Sequence, residues 1–420
     1  MNYPDSVHFL YALGNEIKTA KLGLDRITRV LDELGRPQDR VRIVHVAGTN
    51  GKGSTCAMIE SALRAAGRRT GLFTSPHLAE PTERIQIGGR PIPSVRFAEA
   101  FDKVHAAVER VLDMHTTYFE TVTAMAMLIF AEERVDTAVL EVGLGGRLDA
   151  TNLVTPELCV ITPIDFDHEQ YLGRSLEAIA GEKAGILKRG VPAVFAQQRP
   201  EAARVLDARA EELAIAVTRA SDWTVRDLDL EARGSRFVGQ VPGLPCPLQI
   251  HCPLAGEHQA QNAVTAAAAL VQLGIPAAAI ETGIAGARWP GRLEHVHANP
   301  DIILDGAHNP SGARALAAYI DRFYSGREIR LIFGTMRDKA VDEIGGILFP
   351  KAQQVIVTAP RQARALAPDA LREMAHHPNL RAAPTVEDAL NLVSDAAPGE
   401  AIFITGSLFL VAEARAVLVG

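Results

Sequence analysis

The segment RIVHVA, residues 42–47, runs directly into Gly48-Thr49-Asn50-Gly51-Lys52-Gly53-Ser54-Thr55 and then into a helical pattern reaching Ala66. An apolar strand, a glycine-rich turn and a helix in this order commit the chain to a strand–turn–helix unit of an α/β fold. Glycines let backbone N–H groups turn inward around an anion, and Lys52 adds a point charge. Ser54 or Thr55 opens the helix with a hydroxyl suited to Mg²⁺, so donors, charge and a metal ligand converge on a triphosphate. The spacing differs from the Walker pattern, because Gly53 separates Lys52 from Ser54 and the loop is shorter. No guanine-reading Asn-Lys-x-Asp signature is present, which favours ATP.

The same alternation continues along the chain. Strands are expected at 137–142, 158–164 and 191–196, with a helix at 175–188 between the last two. Nearly unbroken apolar runs such as AVLEV and CVITPI read as parallel strands covered on both faces. An Ala-rich helix is expected at 256–273 and a shorter one at 277–285; Pro290, Gly291 and Pro300 then break the pattern. Beyond that break the alternation restarts with DIILDG, RLIFG, QVIVTAP and AIFITG. The expected domains are therefore 1–286, an ATPase domain with a parallel central sheet, a linker at 287–299, and a smaller Rossmann-like α/β domain at 300–420. A length of 420 residues accommodates two such domains, at about 150 residues per domain as the prior.

With 43 basic and 50 acidic residues the net charge is −7, which argues against nucleic acid as a partner. No apolar run is long and unbroken enough for a membrane span, and the N-terminal residues lack the pattern of a targeting signal. A cytoplasmic protein is expected. Cys56 and Cys159 sit in apolar stretches as buried thiols, and Cys246, His251 and Cys252 lack the second ligand pair that a zinc site needs.

A second chemical feature follows the strand TAVLEV, which ends at Glu141 before the glycine-rich GLGGRLDATN. In open parallel sheets ligands bind at the carboxyl ends of strands, so Glu141 is expected to face the phosphate loop and hold Mg²⁺. The next strand leads into Asp165, Asp167 and His168, and the helix after it carries Glu182 and Lys183. Three neighbouring strand ends thus present a phosphate loop, a Glu and an Asp-x-Asp-His, the pattern of a metal–nucleotide site.

In order, GTNGKGS, TSPHL, ERI, YFE, EVGLGGRLDATN, DHEQYLG, EKAGI, WPGRLE and DGAHNP resemble the dihydrofolate synthase and folylpolyglutamate synthase family across nearly the whole chain. The resemblance implies a Mur-ligase-like, ATP-dependent amide ligase. It would pass the γ-phosphoryl of ATP to a carboxylate and let the amine of L-glutamate attack the acyl phosphate. By the same resemblance Thr49, Asn50, Gly51, Lys52, Gly53, Ser54 and Thr55 hold the phosphates. Ser54, Ser75 and Glu141 would bind one Mg²⁺, and His168 with a carbamylated Lys183 a second. Asn262 would contact adenine, Arg292 the γ-phosphate, and Asp305 the nucleotide, while His308 would sit near the phosphates and glutamate. Ser407 is a weaker glutamate candidate, since a strand-to-helix cap explains it equally well.

For dihydropteroate, the resemblance points to Thr117, Phe119, Asp149 and Ala150; Phe119 could stack on a flat ring and Asp149 accept ring N–H bonds. The implied substrates are dihydropteroate, reduced folates, L-glutamate and ATP, and the implied assembly is a monomer. A monofunctional folylpolyglutamate synthase is the alternative. A cell-wall Mur ligase is disfavoured because only 40 residues or so precede the first strand. A non-catalytic folate- or ATP-binding module is opposed by the full set of Lys52, Glu141, His168, Lys183, Arg292 and His308.

Overall fold

The structure is a computed structural model that describes residues 1–14, 23–113, 115–240, 244, 246–374 and 376–419. Contacts divide the chain into two units. The first comprises Met1–Arg226, Phe237–Ile250 and Gln261–Ala287; the second comprises Asp227–Arg236, His251–Ala260 and Arg288–Gly420.

The first unit is built on strands β1 (Arg42–Ala47), β2 (Thr70–Phe73), β3 (Ile85–Ile87), β4 (Arg90–Pro91), β5 (Thr137–Glu141), β6 (Leu158–Ile161), β7 (Ala193–Phe195) and β8 (Val217–Arg219). They form one eight-stranded sheet in the order β4-β3-β2-β5-β1-β6-β7-β8. From β2 to β8 neighbouring strands run parallel, with β1 seated between β5 and β6. The expected parallel sheet is therefore present, extended by an antiparallel ribbon of β3 and β4 at one edge. Short return strands fit there because an edge needs no crossover helix.

Five of the six residues of β1 are buried, as the apolar run requires of a strand covered on both sides. One core cluster joins β1, β2 and β5 to helices Ser94–Val111 and Tyr118–Glu132 through residues such as Phe73, Phe97, Phe101 and Phe130. Another lies under Leu176–Ala184 and Pro200–Leu213, with Ile161, Ile179 and Leu206 inside. Helix Lys52–Ala65 is held by helix Ala277–Ala285, where Gly283 permits the approach: a Cβ there would lie 2.1 Å from the Cα of Ala62.

Strands β9 (Thr224–Glu231), β10 (Gly234–Gln240) and β11 (Leu248–Cys252) follow as a separate three-stranded sheet. The second unit carries β12 (Glu294–Ala298), β13 (Asp301–Asp305), β14 (Ile329–Phe333), β15 (Gln354–Val357), β16 (Leu380–Ala382) and β17 (Ala401–Thr405). Their order is β12-β13-β17-β14-β15-β16, parallel except for β12. Within 287–299, read from sequence as a linker, residues Glu294–Ala298 thus form a strand of this sheet. The core here gathers Leu316, Ile320, Phe333, Phe349 and Phe403. The molecule is a two-domain α/β protein, with a parallel-sheet domain first and a mixed-sheet α/β domain after it. Among the described residues no helix is long and apolar enough to cross a membrane.

Candidate active site

The helix after β1 begins at Lys52, two residues before the expected Ser54, with Gly51 as its N-cap at φ +82°. Lys52 is therefore in the first turn, where the backbone N–H groups have no intrahelical acceptor and the helix dipole favours an anion. Gly48 and Gly51 are obligatory. A Cβ on Gly48 (φ +149°) would lie 1.8 Å from Thr162 Oγ1, and one on Gly51 would lie 2.3 Å from Asn262 Oδ1. Asn262, far along the chain in helix Glu257–Gln272, is thereby placed beside the turn. The loop is braced from β6: the N–H groups of Thr49 and Asn50 donate to Pro163 O, and the Thr49 hydroxyl donates to Asp165 O at 2.9 Å.

Two ammonium groups converge on this turn. Lys52 Nζ donates to the carbonyls of Gly48 and Thr49 at 3.2 and 3.1 Å, and Lys183 Nζ donates to the same Gly48 carbonyl at 2.7 Å. Lys183 is only 4% exposed. Burial, then repulsion from Lys52, bring its pKa down from 10.5 to about 7, with Asp167 and Asp149 pulling the other way. Lys183 is therefore no solvated surface lysine paired with Glu182. That carboxylate accepts instead from Arg147, at 2.8 Å from Nη2.

Glu141 ends β5 in a buried position, and its Oε2 accepts the Ser75 amide at 3.1 Å. Carboxylate and serine, distant in sequence, are thus adjacent. Ser54 and Thr55 are buried in the first turns of the helix, and Thr55 Oγ1 has no hydrogen-bond partner among the described residues. His168 adopts φ +52°, a left-handed conformation that costs a β-carbon residue energy. Its Nε2 lies 3.9 Å from Asp167 Oδ1.

The residues read as a pterin site form a neighbouring set. Thr117 caps helix Tyr118–Glu132 through a reciprocal capping box with Glu120. Phe119 is half-buried, with its ring centroid 5.8 Å from that of Phe73 and its Cζ 2.5 Å from where a Gly143 Cβ would stand. Asp149 is 3% exposed and already engaged: Oδ2 accepts the Leu144 amide at 2.8 Å, and Oδ1 accepts the amide and hydroxyl of Thr151 at 3.0 and 2.5 Å. Burial raises its pKa above 3.8, and these bonds oppose the rise. Ala150 is buried beside it.

In the second unit Arg292, Asp305 and His308 meet at the end of β13. Arg292 Nη1 lies 2.3 Å from the position of a Cβ on Gly306, so a side chain there would push the guanidinium aside. Asp305 accepts the Leu293 amide and the Ala307 amide, each at 3.0 Å, and His308 Nδ1 bonds Gly306 O at 2.8 Å. Ser407 Oγ caps helix Leu408–Leu418 by accepting from Leu410 N at 3.1 Å.

Sequence reasoning missed a buried polar cluster around the TSPHL segment. Arg84, 3% exposed, bonds His77 Nδ1 at 2.8 Å and lies 5.0 Å from the Tyr118 ring centroid. Burial, then Arg84, push the His77 pKa down to about 3. A charged residue beside the apolar IQI strand was the available signal. It missed as well the contact of His45 with Thr151, because a histidine inside an apolar strand reads as core.

Residues 46–270 match the Mur ligase middle domain, and residues 291–408 match the Mur ligase, glutamate ligase domain. The folylpolyglutamate synthase of Lacticaseibacillus casei is 36% identical over 439 residues, covering 100% of this chain and 99% of the relative. The dihydrofolate synthase/folylpolyglutamate synthase of Mycobacterium tuberculosis is 38% identical over 436 residues, covering 93% and 89%. The solved structure of E. coli FolC in complex with DHPP and ADP is similar at a TM-score of 0.90 and 31% identity, covering 99% of this chain and 97% of that one.

Proposed function

The chain belongs to the dihydrofolate synthase and folylpolyglutamate synthase family of Mur ligases, and from that premise we propose that it adds L-glutamate both to dihydropteroate and to reduced folates at the expense of ATP. The observation that carries this reading is the convergence of Lys52 and Lys183 on one carbonyl at a helix N-terminus, with Glu141 at the end of the adjacent strand. Such a turn has donors and charge for a triphosphate. Relatives support the two acceptors: one is named for both activities, and another was solved with DHPP and ADP.

The chemistry needs no protein nucleophile. An acceptor carboxylate oxygen attacks the γ-phosphorus, the bond to ADP breaks, and an acyl phosphate forms. The amine of glutamate then attacks the acyl carbon, loses a proton, and expels phosphate. The chain's work is to position the reactants and neutralise moving charge. The amides of Gly51, Lys52 and Gly53, where the helix begins, hold phosphate oxygens, and Lys52 exchanges its loop carbonyls for them. Asn262 contacts the base and Asp305 the nucleotide, while Arg292 and His308 serve the γ-phosphate and the incoming glutamate.

The donor set fits Mg²⁺. Glu141 and the hydroxyls of Ser54 and Ser75 are hard oxygen ligands, and the unpartnered Thr55 hydroxyl adds polar capacity. Bound Mg²⁺ supplies charge neutralisation on the phosphates. His168 and Lys183 would serve a second ion, Lys183 as a carbamate. An amine with a pKa of about 7 is substantially neutral near neutral pH, so Nζ can attack CO₂ and release a proton. The product keeps one N–H for Gly48 O. Phe119 and Ala150 offer the pterin a half-buried ring and an apolar floor.

The test is ADP release with dihydropteroate and tetrahydrofolate assayed side by side. The reading expects glutamate-dependent ADP from both. ADP from tetrahydrofolate alone would leave a monofunctional folylpolyglutamate synthase, and nucleotide binding without glutamate-dependent turnover would leave a non-catalytic module.

A further inference from the structure

His45 is the buried titratable group that the reaction above leaves without a task. It lies in the middle of β1, with no exposed surface, in a position that leucine or valine would fill without desolvating an imidazole. Its Nε2 is 2.8 Å from Thr151 Oγ1, and its Nδ1 has no partner among the described residues.

Proton counting fixes the direction of this chain. Both Asp149 oxygens accept backbone N–H groups, the arrangement of an ionised carboxylate. The single hydroxyl proton of Thr151 goes to Asp149 Oδ1, at 2.5 Å. The remaining lone pairs of Oγ1 then face the imidazole, so His45 must carry its proton on Nε2 and leave Nδ1 bare. Burial, with Lys188 second, pushes the ring's pKa down to about 3, which keeps it neutral.

We propose that His45 is a positioning residue for the acceptor site: through Thr151 it orients Asp149, which holds the Gly143–Leu144 backbone against Phe119. This rests on the reading that the acceptor's flat ring lies at Phe119. Asp149 then acts by shaping the loop as well as by any contact it makes with the ring. The backbone at Gly143 passes so close to Phe119 that a small displacement of the loop must move the ring. Phosphate-loop residues are not partners in this chain of bonds, so its loss should fall on the acceptor and spare ATP.

The experiment compares Thr151→Val, Thr151→Ser and His45→Leu with the wild-type enzyme in steady-state kinetics, using dihydropteroate as acceptor. Loss of a hydrogen bond to a charged group predicts a rise of about tenfold in the dihydropteroate KM for Thr151→Val, with kcat and the ATP KM changed less than about twofold. Thr151→Ser should recover most of the loss, and His45→Leu, which reports independently if Thr151→Val does not fold, should shift the same KM in the same direction. Nitrogen-15 NMR should show a neutral His45 with its proton on Nε2. An unchanged dihydropteroate KM in active variants, equal losses for ATP and acceptor, or a proton on Nδ1 would overturn the positioning role alone. A wild-type enzyme that glutamylates neither acceptor would overturn the function reading and this inference with it.

Discussion

The two sheets treat their strand ends differently. In the first unit the two lysines at the phosphate turn rest on a backbone carbonyl: Lys52 and Lys183 both donate to Gly48 O. Those bonds are replaceable, because a phosphate oxygen is a stronger acceptor for an ammonium than a carbonyl is. In the second unit the polar groups beyond β13 and β17 are consumed by their own loops. Asp305 binds two amides, Asn309 accepts from Gly312 N at 2.8 Å, and Ser407 caps the last helix. Reserve charge on the two lysines and spent caps at Asn309 and Ser407 imply that substitutions should hit turnover at the former and stability at the latter.

The sharpest way to break this contrast is Lys52→Ala. Removing a cation that meets moving phosphoryl charge should lower kcat about 100-fold or more, while the thermal unfolding midpoint stays close to wild type. A large drop in the unfolding midpoint with turnover retained would show that Lys52 is structural.

Lys183→Ala should also lose most activity, and short-chain carboxylates should restore part of it if a carbamate is the working form. The sign of the pH effect follows from a pKa lowered from 10.5 to about 7. Between those values the unfolded chain holds a proton that the folded one does not, so this lysine's burial penalty is relieved as pH rises. Carbamate formation, followed by ¹³CO₂ NMR, should increase as pH is raised through about 7. Full activity in Lys183→Ala would remove both claims.

A smaller effect is expected in the second unit. Ser407→Ala removes an N-cap and should cost about 1 kcal/mol in urea unfolding, with the glutamate KM little changed. A rise in that KM without loss of stability would make Ser407 a glutamate ligand and weaken the contrast.

A separate effect is acid sensitivity. His45 and His77 are both held near pKa 3 by burial, against 6.5 when exposed. As pH falls from 6.5 toward 3 the unfolded state takes up protons the folded state refuses, so stability is lost across that window. His45→Leu should flatten the slope of urea stability against pH there.

What the sequence made legible follows the same division. The span of β1, its glycine turn and Glu141 could be read locally, since an apolar strand ending in glycines or a carboxylate announces a sheet's carboxyl edge. The antiparallel ribbon at Ile85–Ile87 and Arg90–Pro91 could not, because three- and two-residue strands are too short to show a period. Motif order pointed to Lys183, but only folding reveals that its ammonium reaches Gly48 across 135 positions. Asp149 stood out as a ligand candidate, whereas its bonds to Thr151 and Leu144 depend on how a glycine-rich loop closes.

The central claim is that this chain activates an acceptor carboxylate by phosphorylating it, and oxygen transfer tests it most directly. Dihydropteroate labelled with ¹⁸O in its carboxylate is incubated with the enzyme, ATP and glutamate, and the released phosphate is analysed by mass spectrometry. The account predicts one ¹⁸O in each phosphate formed per amide bond. Unlabelled phosphate accompanying a labelled amide product would contradict it.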